Sequence, residues 1–149
     1  VTATDLSLAA LTRGEAERQS RVTRDHHPRM VRWVTLDAVN DSWPTPPEKY
    51  DLVTNFFGHG PGEMRQGLWA AMAKVVAPGG RLVIVGHSPS DVAAGVQRPP
   101  EDKMFDTQEL TDFFAPLGDV LTAEEWNRQQ TGPLDQPVTV ADVVAIVQF

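Results

Sequence analysis

Apolar positions along this chain follow two rhythms. Short apolar runs at residues 1–4, 30–36, 50–57 and 81–86 read as strands, and between them apolar residues recur at helical spacing. The first run ends at Asp5, after which Ser7 is placed to cap a helix through Leu8, Ala9, Leu11 and Ala16 toward Val22. Arg13, Glu15, Glu17, Arg18 and Arg21 mark its solvated face, and Asp25, His26, His27 and Pro28 close it in a polar loop. The second strand ends at Asp37 and leads into a connection rich in proline, with Pro44, Pro46 and Pro47. The third strand, 50–57, is apolar enough to be covered on both faces, and the glycines between Gly58 and Gly62 break it.

From 63 to 76, Met64, Leu68, Met72 and Val75 form a helical stripe widened by Trp69 and Ala71, which Pro78-Gly79-Gly80 terminates. The aliphatic run 81–86 then fits the middle of a covered sheet, and its carboxyl end should face a site. Residues 88–104 lack periodicity and read as a loop or partial helix. Asp106 and Glu109 make a capping pair before a helix whose face carries Leu110, Phe113, Phe114 and Leu117, ending near Gly118. Runs at 119–123 and 141–147, joined around Thr131-Gly132-Pro133, predict a closing antiparallel pair. Strand and helix in alternation predict an α/β fold: a Rossmann-like open, mostly parallel sheet with helices on both faces and an antiparallel C-terminal strand. With no repeat or linker in 149 residues, one domain is expected over 1–149.

Composition narrows the function classes. No apolar run approaches the roughly 20 residues of a membrane span. The net charge of −7 gives no general attraction to phosphate backbones, which disfavours a nucleic-acid partner. The absence of cysteine excludes disulfides and thiolate metal sites and makes a reducing cytoplasm the default. His26 and His27 lack an acidic partner at useful spacing, so no metal is assigned.

In an open α/β sheet the ligand lies beyond the carboxyl ends of the strands. Asp5 and Asp37 occupy such ends, Asn55 and His59 follow the third strand, and His87 and Ser88 follow the fourth. Asp5 suits a nucleoside, because one carboxylate accepts from two vicinal ribose hydroxyls and Leu6 could pack on a flat base. A plain helix cap is the competing role for Asp5, and a turn-forming acid the competing role for Asp37. Asp37 followed by Ala38 offers a carboxylate for an exocyclic amine and a backbone N–H for a ring nitrogen, a pairing that fits adenine. Trp33, Trp43, Trp69, Phe113 and Phe114 read as packing residues, whereas Phe56 and Phe57 stand where a ring could meet a ligand.

In its segments 1–7, 33–39, 50–59, 77–86 and 141–149 the chain resembles the Rossmann-like S-adenosylmethionine-dependent methyltransferases. Asn55-Phe56-Phe57-Gly58-His59-Gly60-Pro61, then a helix and Ala77-Pro78-Gly79-Gly80-Arg81-Leu82, are similar to small bacterial members related to tellurite- and thiopurine-modifying enzymes. The resemblance implies S-adenosylmethionine as cofactor. Asp5 would hold the ribose hydroxyls, Leu6 and Val39 would flank adenine, Asp37 and Ala38 would read its edge, and Asn55 to Phe57, Phe56 included, would approach the methionine end. It also implies a small-molecule methyl acceptor entering near His59 and His87, and leaves a homodimer open. Methyl transfer is an in-line displacement that needs positioning rather than a protein nucleophile. Either histidine could be a general base where the acceptor must lose a proton, with substrate orientation or packing as the competing role.

The family sets its glycine-rich loop after a strand preceding the one that begins at Val1, between strands 1–4 and 52–55. Val1 opens a strand without an initiator Met, so the domain is expected to be N-terminally incomplete, its first strand, loop and helix needing at least about 30 residues upstream. A silent Rossmann-like binding or partner domain is the alternative from another class, and a nicotinamide-dependent oxidoreductase the alternative enzyme.

Overall fold

The structure, a computed structural model, describes residues 1–25, 30–37, 49–93, 95–132 and 135–149. It forms two compact units, Val1–Pro44 and Thr45–Phe149. Ala38 and Val39, His26 and His27, and Trp43 lie outside the described residues.

In the first unit, β1 (Thr2–Asp5) pairs in parallel with β2 (Arg32–Thr35), with α1 (Leu8–Asp25) between them in sequence. Ser7 caps α1 as its position suggested, its Oγ accepting from the Ala10 N–H at 3.2 Å. The face of α1 is not the expected one. Leu11 is buried, but Leu8 and Ala16 are exposed, and Glu15 and Arg18 are only partly exposed. The cause is Trp33 on β2. Its indole presses on Gly14, where an added Cβ would lie 2.7 Å from the ring, and its Nε1 donates to Glu15 at 2.7 Å. Arg18 and Gln19 donate to the same carboxylate, holding the Glu15 carboxyl down at a pKa of about 2. An acid and a base that read as solvated thus complete the contact between helix and strand.

The second unit holds a four-stranded sheet in the order β3 (Tyr50–Phe56), β4 (Val76–His87), β6 (Pro137–Gln148), β5 (Asp119–Thr131). β3 and β4 are parallel, and β6 runs antiparallel to both of its neighbours, which gives the expected closing hairpin. The fold is α/β and Rossmann-like. Pro78-Gly79-Gly80 does not separate helix from strand. It lies inside β4 beside a register shift opposite Tyr50 and Leu52, and Gly79, at φ +79°, donates to the Phe149 carbonyl at 2.5 Å.

One sheet face carries Val53, Leu82, Ile84, Val143, Ala145 and Val147, all buried. Phe105 lies against Gly86 on that face and meets Trp69 edge-on at 5.2 Å. Trp69 and Met72 come from α2 (Gly62–Lys74), Leu110 and Phe114 from α4 (Thr107–Phe114). The α2 stripe is therefore Arg65, Trp69 and Met72, while Met64 stays 47% exposed. Arg65 can face inward because Glu109 takes its guanidinium in a bidentate pair at 2.8 and 2.7 Å, and the Gly60 and Asp102 carbonyls take Nη1. Leu117 is exposed because α4 stops at Phe114. The opposite face at β3 is open, with Leu52 58% and Phe56 61% exposed, so β3 is not covered on both faces. Between β4 and α4 run α3 (Ser90–Ala93) and a single 3₁₀ turn at Glu101–Lys103, the partial helix anticipated there.

Candidate active site

The candidate residues fall into two groups, one in each unit. In the first unit the last inter-strand bond runs from the Leu36 N–H to the Asp5 carbonyl at 3.1 Å, so Asp37 follows directly beyond it. Both acids stand at the carboxyl ends of adjacent parallel strands. Asp5 also takes its local role, accepting the Ser7 N–H on Oδ1 at 2.7 Å. Its carboxylate nonetheless remains exposed, and Leu6 beside it is 68% exposed, an apolar side chain unclaimed by the core.

In the second unit the parallel strands β3 and β4 deliver Asn55, Phe56, Phe57 and His59 beside His87 and Ser88. Asn55 turns its side chain back to accept the Gly58 N–H at 3.3 Å, and a Cβ on Gly58 would lie 2.5 Å from Asn55 Nδ2. Phe57 sits at φ +57°, a left-handed backbone that a bulky side chain adopts only when its surroundings impose it. Its N–H is fixed to the Val85 carbonyl at 2.7 Å, and its ring packs on His87 at 4.6 Å. His59 stacks on His87 at 4.9 Å and 18° and approaches Phe105 at 5.9 Å. By register Phe56 shares a face with His87 but stays 61% exposed, and Phe57 is the ring that packs on His87 as the aromatic wall.

Burial lowers the pKa of both histidines below 6.5. For His59 the neighbouring His87 adds to that effect. Both of its ring nitrogens are buried without a well-formed hydrogen bond, and the nearby Lys103 backbone opposes the shift only in part. For His87 the Arg98 charge adds to burial, and Asp142 acts the other way, its Oδ1 lying 3.4 Å from Nδ1. Two neutral imidazoles can accept protons or hydrogen bonds from a ligand at this strand end.

Of the groups behind these rings, sequence reading found Ser88 and missed the others. Asp142 is buried and pairs with Arg128, whose Nε lies 2.5 Å from Oδ2. Ser88 is fully buried and donates to Glu125, and Asp91 takes both the Ala141 N–H at 2.8 Å and Arg98 Nε at 2.7 Å. A signal did exist for Asp142, an acid in the otherwise apolar run 140–147, since a charge in such a strand needs a partner.

The sequence matches no family profile and no curated protein. Solved structures share the fold across 99% of the chain. A SAM-dependent methyltransferase from Methanosarcina mazei is 14% identical, with 81% of its length covered and a TM-score of 0.73. TehB from Haemophilus influenzae is 15% identical at a TM-score of 0.71. The N-methyltransferase NodS from Bradyrhizobium japonicum is 15% identical, with 71% of its length covered and a TM-score of 0.65. The chain spans 49% of TehB and 65% of a protein of echinomycin biosynthesis. These likenesses establish the Rossmann-like fold of SAM-dependent methyltransferases. Among the described residues no helix is long and apolar enough to cross a membrane.

Proposed function

We propose that this chain acts as an S-adenosylmethionine-dependent methyltransferase on a small molecule, of the bacterial kind related to tellurite- and thiopurine-modifying enzymes. The observation that carries the reading is the pair Asp5 and Asp37 at the carboxyl ends of adjacent parallel strands, in a chain whose fold is shared with methyltransferases. NodS, one of those structures, is known in complex with S-adenosyl-L-homocysteine. The described residues fit such a ligand. Asp5 is an exposed carboxylate with lone pairs left after Ser7, suited to ribose hydroxyls, and the exposed Leu6 suits an adenine face. Asp37 and Ala38 would read the adenine edge, and Val39 would flank the ring with Leu6.

The bound cofactor supplies a methyl group already activated on a sulfonium. The chain's own residues position and shield. Asn55, anchored to Gly58, and the open-face Phe56 are assigned to the methionine end, and the Phe57 ring excludes water beside His87. His59 and His87, neutral near physiological pH, are the candidates to take a proton from the acceptor.

Isothermal calorimetry of the protein with S-adenosylmethionine and S-adenosylhomocysteine tests the reading. Binding of either is expected, and Asp5→Ala should weaken it several-fold while the exposed Glu17→Ala should not. No heat with either ligand would favour a silent binding domain, and equal effects of the two substitutions would remove Asp5 from the site.

A further inference from the structure

His87, Asp142 and Arg128 stand on three adjacent strands and on one face of the sheet. His87 and Asp142 are direct partners across β4 and β6, and Arg128 on β5 is paired with Val140, two residues from Asp142. Direct partners and diagonal neighbours two residues apart share a face and lie within reach of long side chains. The side chains use that reach. Asp142, 8% exposed, sets Oδ1 3.4 Å from His87 Nδ1, while Arg128 reaches Oδ2 through Nε at 2.5 Å and Oδ1 through Nη2 at 3.4 Å. The guanidinium also lies 5.9 Å above the Phe57 ring that packs on His87.

We propose that Asp142, locked in place by Arg128, is a positioning residue that holds neutral His87 as its Nδ1–H tautomer and leaves Nε2 as the proton acceptor. An ionised carboxylate accepts hydrogen bonds and cannot donate them, so the ring must present an N–H to it. Arg128 carries the second half of the argument. Asp142 is too buried to stand unpaired, and the guanidinium that holds it keeps the carboxylate from rotating away from the ring. The other charged groups around His87 have partners of their own. Arg98 is paired with Asp91, Glu125 accepts from Ser88, and His59 stacks without donating to a carboxylate. Among the described residues, Asp142 is the carboxylate placed to choose the tautomer. The inference rests on reading His87 as the candidate base, but its test does not pass through the cofactor.

Long-range proton–nitrogen correlation spectra of the protein, labelled in its imidazole rings and assigned with His87→Gln, report tautomer and titration together. Wild-type His87 is expected as the Nδ1–H form at neutral pH. Asp142→Leu should turn it to the Nε2–H form. Asp142→Asn, which keeps an acceptor oxygen and removes the charge, should keep the tautomer and lower the titration midpoint, and Arg128→Met should raise it. An Nε2–H wild-type ring, or a midpoint unmoved by Asp142→Asn, overturns the proposal. The Asp142→Asn measurement decides the matter should Asp142→Leu fail to fold. A negative calorimetric result would remove the methyltransferase reading and leave the tautomer assignment standing.

Discussion

Gly86 faces Phe105 so closely that a Cβ there would lie 2.8 Å from Cε2 of a ring that is itself 1% exposed. The ring cannot retreat, because Trp69 meets it on another side. Gly86→Ala should therefore cost about 1–3 kcal/mol, the range for an extra group forced into a packed core, read as a lower urea midpoint. Gly60→Ala, where no atom lies within 4 Å of the added group, is the matched control. His59 and His87 make the second residue-scale prediction. In the unfolded chain both rings protonate near 6.5, and in the fold only at lower pH. Between the two values the unfolded chain binds more protons, so stability should be level near pH 8 and fall as pH drops through about 6.5. His59→Phe should flatten that fall, and parallel curves for variant and wild type would show that His59 is not held neutral by the fold. Glu15 works in a lower window, its stabilisation fading as pH falls from 4.5 toward about 2.

At the scale of elements, α4 begins where its sequence says it should. Asp106 Oδ1 accepts the Glu109 N–H at 2.8 Å, so Asp106→Ala should lower stability by about 1 kcal/mol and Asp106→Ser by less, measured by denaturant unfolding. That element was legible because both halves of its signal are local, an acid at the cap and the residue whose N–H it takes. The second half of β5 was not. Residues 124–131 are mostly polar and exposed, and they are a strand only because the β6 backbone pairs with them as far as Thr131 opposite Pro137. Long-range pairing of this kind leaves no periodic trace in the strand that receives it. Helix faces failed for a related reason. The apolar spacing draws the α2 stripe through Met64 and Leu68, whereas the inward place of Arg65 depends on Glu109, forty-four residues away. In the candidate site, Asp5, Asp37, His59 and His87 were legible as strand-end residues, while Asp142 and Arg128 were hidden behind the register that joins β4, β6 and β5.

Across the whole molecule the decisive asymmetry is that the four-stranded sheet has one closed face and, at β3, one open one. An apolar strand normally means burial on both sides. Here Val53 is buried while Leu52 and Phe56, on the opposite face, are 58% and 61% exposed. Large exposed apolar side chains on one strand face mark a surface that meets something, and in the proposed function that is the cofactor. Stability and binding then separate at Phe56. Phe56→Ser should change the unfolding free energy by no more than about 0.5 kcal/mol, as for other surface positions, whereas Phe114→Ala in the closed face should cost about 3–5 kcal/mol. The same Phe56→Ser should weaken S-adenosylhomocysteine binding in calorimetry. A large loss of stability at Phe56 would mean that the open face is covered in solution by the protein itself. Unchanged binding at unchanged stability would leave Phe56 a bare surface residue and move the methionine end of the site toward Asn55 and Phe57.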